Sequence, residues 1–590
     1  MPSKKFKIYT NRFFVIFLLT GLFVSCKLSS KKEDKVQVAD KKTDWWKEAV
    51  VYQIYPRSFK DSDGDGVGDL KGIISKLDYL KSIGIDAIWL NPIYTSPNDD
   101  NGYDISDYRS IMKEFGSMED FDALLKGMHE RGIKLVMDLV VNHSSDEHEW
   151  FKQSRSSRTN PYRNYYHWWP AEKGNPPYRW SFFDVKSEAW RYDTLTKAYY
   201  LHYFSKKQPD LNWENPKLRQ EVYDVMKFWL NKGIDGFRMD AFQFASKDTT
   251  WPILPKGYEK NVIKYYGNGP HLHDYLQEMN REVYSKYNVM SVSEGAGSSP
   301  EDAMKFVDPD RKELNIAYHF ESVDIGKKLG DYGLVNYKKI FSRYDSVFKD
   351  KGWLAIFMAN HDQPRMVSKF GNDSTYREVS SKLLSTFVLT MRGTPFYYNG
   401  DELGMKNIRF NKIEDYNDVD IKNKYENLKN TGGNISAFLE DKKETSRDNG
   451  RTPFQWNSEV NAGFTTGTPW LKINPNYTTV NAAAQEKDSN SVLNYFRKII
   501  TFRKNTPALI YGAYKLYDAE NPKIFAYTRT LNAEKYLIVL NFTSSETEFI
   551  LPEDLKSLTN VKLTNYGMQQ QKIIAGNIIH LQPWQSVILK

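Results

Sequence analysis

The chain has 590 residues, 40% of them hydrophobic and 15% aromatic, which describes a globular protein of about two to four domains and excludes a disordered one. Its formal net charge of +8 is concentrated at one end: residues 1–42 hold ten Lys or Arg against three acidic residues, leaving the remainder at +1. A nearly neutral body has no electrostatic footprint for a polyanion, so no nucleic-acid partner is expected, and nothing in the sequence points to a protein partner.

The first residues read as an export signal over 1–25: basic positions through Arg12, an apolar segment from Phe13 to Val24, then Ser25 before Cys26. Phe23-Val24-Ser25-Cys26 is similar to a bacterial lipobox, in which the cysteine becomes the lipidated first residue of the mature protein. Cys26 is the single cysteine of the chain, so no intramolecular disulfide is available to an exported protein. The expectation is a lipoprotein held at a membrane through Cys26, in the periplasm or at the cell surface, with the polar segment 26–44 as a tether.

Folded structure is expected from Trp45-Trp46. Short apolar runs follow at 50–55, 87–90, 134–140, 234–242, 289–292, 317–320, 355–358 and 395–398. Helical patterns such as 118–131 and 216–232 separate them, so the class is α/β and eight βα units predict a closed TIM barrel over 45–142 and 214–505. The periodicity breaks over 143–213, where 161–204 is roughly one-third aromatic, which predicts a small inserted domain whose rings mostly pack on one another. Beyond about residue 505, short alternating strands predict a C-terminal antiparallel β-sandwich over 506–590. There is no G-x-S-x-G, P-loop or H-E-x-x-H, which removes serine hydrolases of that type, P-loop NTPases and zincins.

Chemistry-bearing residues stand where the strands end: Asn91, Asn142-His143, Asp240, Glu294 and Asn360-His361-Asp362. In a closed barrel those ends meet on one rim and form one site. Arg238 and Asp240 lie two apart on a strand and point the same way, so the guanidinium is expected to hold the carboxylate ionised, as a nucleophile requires. Glu294 has no such neighbour in sequence, which suits a proton donor. Asp61-Ser62-Asp63-Gly64-Asp65-Gly66-Val67-Gly68-Asp69 has alternate carboxylates with glycine at the sixth place, like the first half of a calcium loop, although Gly72 stands at the twelfth. Asp61, Asp63, Asp65, the Val67 carbonyl and Asp69 are the expected ligands of a structural Ca²⁺, with Mg²⁺ as the alternative. His271 and His273 lack companion ligands, and no catalytic transition metal is expected.

From about Trp45 onward the chain resembles the α-amylase family of glycoside hydrolases, family 13, in its oligo-1,6-glucosidase and α-glucosidase branch. The motifs that carry the resemblance are Asp138-Leu-Val-Val-Asn142-His143, Gly236-Phe-Arg-Met-Asp240, Glu294, Asn360-His361-Asp362, Asp100-Asn-Gly-Tyr103-Asp104, Gln208-Pro-Asp-Leu-Asn212 and Gly450-Arg451-Thr-Pro-Phe-Gln-Trp456. The resemblance implies Asp240 as nucleophile, Glu294 as general acid/base and Asp362 as the third carboxylate. It also implies that Asp100, Tyr103, His143, Arg238, His361 and Arg451 serve an α-linked gluco-oligosaccharide. Departures are Ala241 after the nucleophile, where α-1,6-preferring members usually carry valine, Lys197-Ala198 where relatives often have Gly-Gln, and Asn449 in place of a small residue. Ala241 tilts toward α-1,4 bonds and the Gln208 motif toward α-1,6 bonds. An exo-acting, retaining α-glucosidase is therefore expected. The alternatives are a transglycosylase or sugar isomerase of the same mechanism, and a non-catalytic carbohydrate-binding barrel, which the presence of all three carboxylates disfavours.

Overall fold

The structure is a computed structural model that describes residues 44–567 and 573–590. The export signal, most of the tether and Cys26 lie outside the described residues.

Eight parallel strands form the barrel: β1 (Val51–Ile54), β2 (Ala87–Leu90), β3 (Lys134–Val140), β4 (Gly236–Asp240), β5 (Met290–Glu294), β6 (Ile316–Tyr318), β7 (Ala355–Ile356) and β8 (Thr394–Tyr398). The sheet runs β6-β5-β4-β3-β2-β1-β8-β7, and a parallel bridge between Ala317 and Leu354 joins its two ends. The strands expected at 317–320 and 355–358 end earlier than their apolar runs, at Tyr318 and Ile356, and Phe357 beyond the ladder stacks on Tyr318. All barrel strands except the first residue of β3 are buried throughout, as strands covered by helices outside and by side chains inside must be.

The helices between strands carry their own start and stop signals. Met118–Glu130 opens on a reciprocal capping box between Ser117 and Asp120, and Pro216–Lys232 begins with Asn215 as cap and ends at left-handed Gly233. Side-chain alternation on β4 sends Met239 to the helical layer, where Tyr284 donates to its sulfur, and Arg238 inward over the ring of Trp89. Trp89, Tyr318, Phe357 and Phe396 pack edge-on or stacked within the barrel. This aromatic layer is the floor on which the polar rim stands.

Between β3 and β4 the chain adds helix Glu149–Ser156 and a three-stranded antiparallel sheet of Trp168–Pro170, Ala198–Leu201 and Trp190–Asp193. At the other end, a five-stranded antiparallel sheet faces a three-stranded one. Ile524 and Ala526 point into the core between these sheets, while Phe525 and Tyr527 point into the main core. One strand thus seals two interfaces by its period of two. Arg503 of helix Val492–Lys504 and Arg529 of the terminal sheet, both fully buried, donate to the carbonyls of Leu389, Thr390 and Met391 at the end of helix Arg377–Thr390, so a neighbouring helix and the terminal sheet together cap it.

Candidate active site

Register brings the first charges together. Asp138 on β3 pairs with Arg238 on β4, and Ser293 pairs with Met239, so Glu294 ends level with Asp240. Arg238 Nη1 donates to Asp138 Oδ1 and Asp240 Oδ1, each at 2.6 Å, and its Nη2 donates to Glu294 Oε1. The sequence contrast between Asp240 and Glu294 therefore does not hold in space: one guanidinium serves both. The backbone N–H of Ala241 donates to Glu294 Oε2 at 2.7 Å. Ala241 adopts left-handed φ 46°, an uncommon conformation for a residue with a Cβ and a form of strain found at functional turns.

Three buried carboxyls on one cation set the proton balance. Burial pushes Glu294 up to about 7, against Arg238 and with help from Asp362. Burial and then Glu294 raise Asp240, with Arg238 opposing, so the expectation that Arg238 alone keeps Asp240 ionised needs correction. The direction that follows from three anions against one guanidinium is a pair, Asp240 and Glu294, that retains a shared proton near neutrality.

A second cluster faces the first. Asp362 accepts from Arg447 Nη1 and Arg451 Nη2, each at 3.0 Å, and lies 3.2 Å from His361 Nε2. Burial works to raise its pKa, but the His361 ring and the Arg447 and Arg451 guanidiniums hold it well below the usual carboxylate range. Arg447 also grips Asp418 with two bonds of 2.7 Å and lies 3.5 Å from Asp100. Asp100, pushed up to about 7 by burial, accepts from Gln208, whose amide nitrogen also lies 3.1 Å from His143 Nε2. Tyr103 stacks on His361 with rings 5.1 Å apart, accepts from Asn91 and donates to Asp138. Burial pushes His143 and His361 down to about 3, so both rings are neutral hydrogen-bonding groups.

These residues enclose a cavity of about 240 Å³ lined by Asp100, Tyr103, His143, Asp240, Glu294, His361, Asp362 and Arg447, together with Phe182, Phe183, Phe204, Phe244 and Phe320. Every expected sugar-site residue lies on its wall except Arg238 and Arg451, which stand behind Asp240 and Asp362. Most insertion rings pack internally as expected, while Phe182, Phe183 and Phe204 reach the cavity. Lys197 and Ala198 do not line it: Lys197 is exposed in the turn before Ala198–Leu201. Buried Asn449 accepts from the Arg409 N–H and donates to the Lys443 carbonyl, a tie behind the wall. Sequence reasoning does not single out Arg447 or Asp418. The signal it offers is an arginine four residues before Arg451 in the same loop.

Carboxylate oxygens of Asp61, Asp63 and Asp65 come within 4.8 Å of one another, and mutual repulsion adds to burial in raising Asp65. This donor set fits a hard cation. The Asp69 side chain instead caps helix Leu70–Ile74, accepting from the Gly72 N–H at 2.7 Å and from the Ser62 N–H and hydroxyl.

A parallel barrel that gathers two aspartates and a glutamate at the carboxyl ends of its strands, around a sugar-sized cavity, defines a glycoside hydrolase. Residues 53–512 match the family model described as alpha amylase, catalytic domain, and residues 524–588 match the alpha-amylase SusG C-terminal domain. An oligo-1,6-glucosidase of Parageobacillus thermoglucosidasius is 50% identical over 92% of this chain and 99% of its own. A trehalose-6-phosphate hydrolase of Bacillus subtilis is 44% identical over 93% of this chain and 98% of its own. Among solved structures, an isomaltulose synthase variant of Erwinia rhapontici bound to sucrose is 48% identical and superposes with TM-score 0.89 over 92% of this chain and 98% of that one. The chain belongs to the α-amylase family, glycoside hydrolase family 13.

Proposed function

We propose that the protein is a retaining, exo-acting α-glucosidase that hydrolyses short malto- or isomalto-oligosaccharides. The observation that carries this reading is Arg238 reaching Asp240 and Glu294 through its two terminal nitrogens. Such a bridge sets the carboxyls roughly at the 5 Å separation that retention requires. Asp240 attacks the anomeric carbon while protonated Glu294 gives its proton to the departing oxygen. The resulting Glu294 carboxylate then takes a proton from water, which displaces Asp240 from the sugar. Asp362, kept anionic by its guanidiniums, faces the positive charge that develops on the ring. Asp100 and Arg447 stand on the cavity wall, with Gln208 donating to Asp100 from outside that lining, and their polar groups suit the hydroxyls of a terminal glucose.

Product analysis of isomaltose, maltose, sucrose and trehalose digests tests this. Glucose from isomaltose or maltose is expected, and conversion of sucrose into an isomeric disaccharide as the main reaction would replace hydrolysis with the sugar-isomerase reading. That second reading draws support from the isomaltulose synthase likeness. Against it, the Arg-Leu-Asp-Arg-Asp motif of sucrose isomerases is missing from the sequence.

Two further parts of the proposal rest on separate observations. A Ca²⁺ or Mg²⁺ ion at Asp61, Asp63 and Asp65, with the Val67 carbonyl as a further proposed ligand, is supported by the convergence of those carboxylates. Chelation should lower the melting temperature, and an unchanged melting curve with no bound metal by elemental analysis removes it. Membrane anchoring through Cys26 is supported by the lipobox-like sequence. The Cys26→Ala protein should leave the membrane fraction, and identical fractionation removes the anchor.

A further inference from the structure

His361 has one ring nitrogen beside Asp362 and the other beside a residue with no role in the reaction described above. Its ring stacks on Tyr103 and lies within 16° of parallel to Tyr55, and Nε2 stands 3.2 Å from Asp362 Oδ2. Nδ1 lies 2.8 Å from Nε2 of Gln53, a residue of β1 that is 1% exposed. A ring that burial keeps neutral has one proton for these two nitrogens, and the bond made by one decides what the other can do.

The polarity of the Gln53 bond is set from an anion two residues away in the chain of hydrogen bonds. Asp138 accepts from Arg238, Trp89 and Tyr103, of which the guanidinium and the indole N–H can only donate. The nitrogen of Asn91 donates to the same carboxylate at 3.3 Å and to the Tyr103 hydroxyl at 2.6 Å, so its Oδ1 is left facing Gln53. Gln53 Nε2 donates to that oxygen at 2.8 Å, and the same nitrogen is the atom turned toward His361. Nδ1 therefore accepts, and the ring proton belongs on Nε2. The opposite tautomer would set a nitrogen lone pair against the Asp362 carboxylate.

We infer that Gln53 is a positioning residue that fixes His361 as the tautomer with its proton on Nε2, so that the ring turns an N–H toward Asp362. In its kinetic consequence the inference rests on the α-glucosidase reading. Its structural consequence, the place of one proton, does not.

The test is Gln53→Met, which keeps the length of the side chain and removes the donor. Histidine ring ¹⁵N spectra, with the His361 signals identified by their loss in His361→Gln, read the proton position directly. The unaltered protein should carry it on Nε2, and Gln53→Met should show a mixture of tautomers. A proton on Nδ1 in the unaltered protein overturns the inference without any appeal to a variant, as does one and the same His361 spectrum in both proteins. In kinetics on the better of isomaltose and maltose, Gln53→Met should lower kcat/KM roughly tenfold. The same change added to His361→Gln should cost nothing further, because it acts through that ring. Equal losses in the two backgrounds mark a packing role and overturn the inference. If the unaltered protein cleaves neither sugar, the glucosidase reading falls, and the proton position alone decides: Nε2 upholds the inference and Nδ1 overturns it.

Discussion

The two charge clusters that face each other across the cavity use the same residue types in opposite proportions. Around Arg238, three carboxyls share one guanidinium. Around Asp362, one carboxylate takes Arg447, Arg451 and His361. Burial penalises ionised carboxyls in both places, so burial does not distinguish them. Stoichiometry does: the carboxyl-rich cluster keeps a proton and the arginine-rich one stays anionic. A proton donor and a permanent anion can therefore stand across one small cavity, and neither needs an environment foreign to the other.

Removing a member of the first cluster should have the largest effect. Asp240→Asn should lower kcat by on the order of 10⁴-fold or more while the circular dichroism stays native, because the nucleophile is lost and the crowding on Arg238 is relieved. Near-normal turnover would break the comparison at its root. Glu294→Gln should cost about 10²–10⁴-fold. In the unaltered enzyme kcat/KM should fall as pH rises through about 7, where the acid loses its proton. A profile level to pH 9 would mean that the cluster does not hold the proton.

The second cluster should show itself next. Arg447→Met should lower kcat/KM by roughly ten- to a hundredfold, since it removes a charged hydrogen bond from Asp362 and leaves Asp100 and Asp418 without their common partner. The smallest effect is on stability and has opposite signs at the two clusters. Asp418 is held down to about 2, burial being outweighed by Arg447. Its contribution is present above the unfolded carboxylate range and lost as pH falls toward 2, so Asp418→Asn should lower the melting temperature at pH 7 and lose that effect in acid. Glu294 is raised to about 7, so its contribution is present below the unfolded range and lost as pH rises through 7. Glu294→Gln should therefore melt about 2 °C higher than the unaltered protein at pH 8. Shifts of the same sign would break the contrast.

Much of this architecture is legible in the amino-acid sequence, and the reasons differ from place to place. The barrel strands are legible because parallel strands buried on both faces form short apolar runs, and the functional residues because five of the eight runs give way to polar side chains. Arg238 beside Asp240 is legible through strand alternation. Its grip on Glu294 is not, since the two stand 56 positions apart and only pairing of the strands in the sheet brings them together. Arg447 and Asp418 lie in loop segments without period, where sequence spacing says nothing about direction. At Asp69 two local chemistries compete for one carboxylate, and the N–H groups of the helix start take it. The insertion shows a further limit: its aromatic richness marks a domain, but which of its rings face the cavity depends on how the sheet docks.

The small cavity with Asp100 and Arg447 on its wall has, with the proposed exo mode of attack, a kinetic meaning on polymeric substrates. A cavity that accepts only termini counts molecules rather than mass. At equal weight, a glucan of twice the length presents half as many places to start, so the initial rate on a size-graded series should fall inversely with chain length.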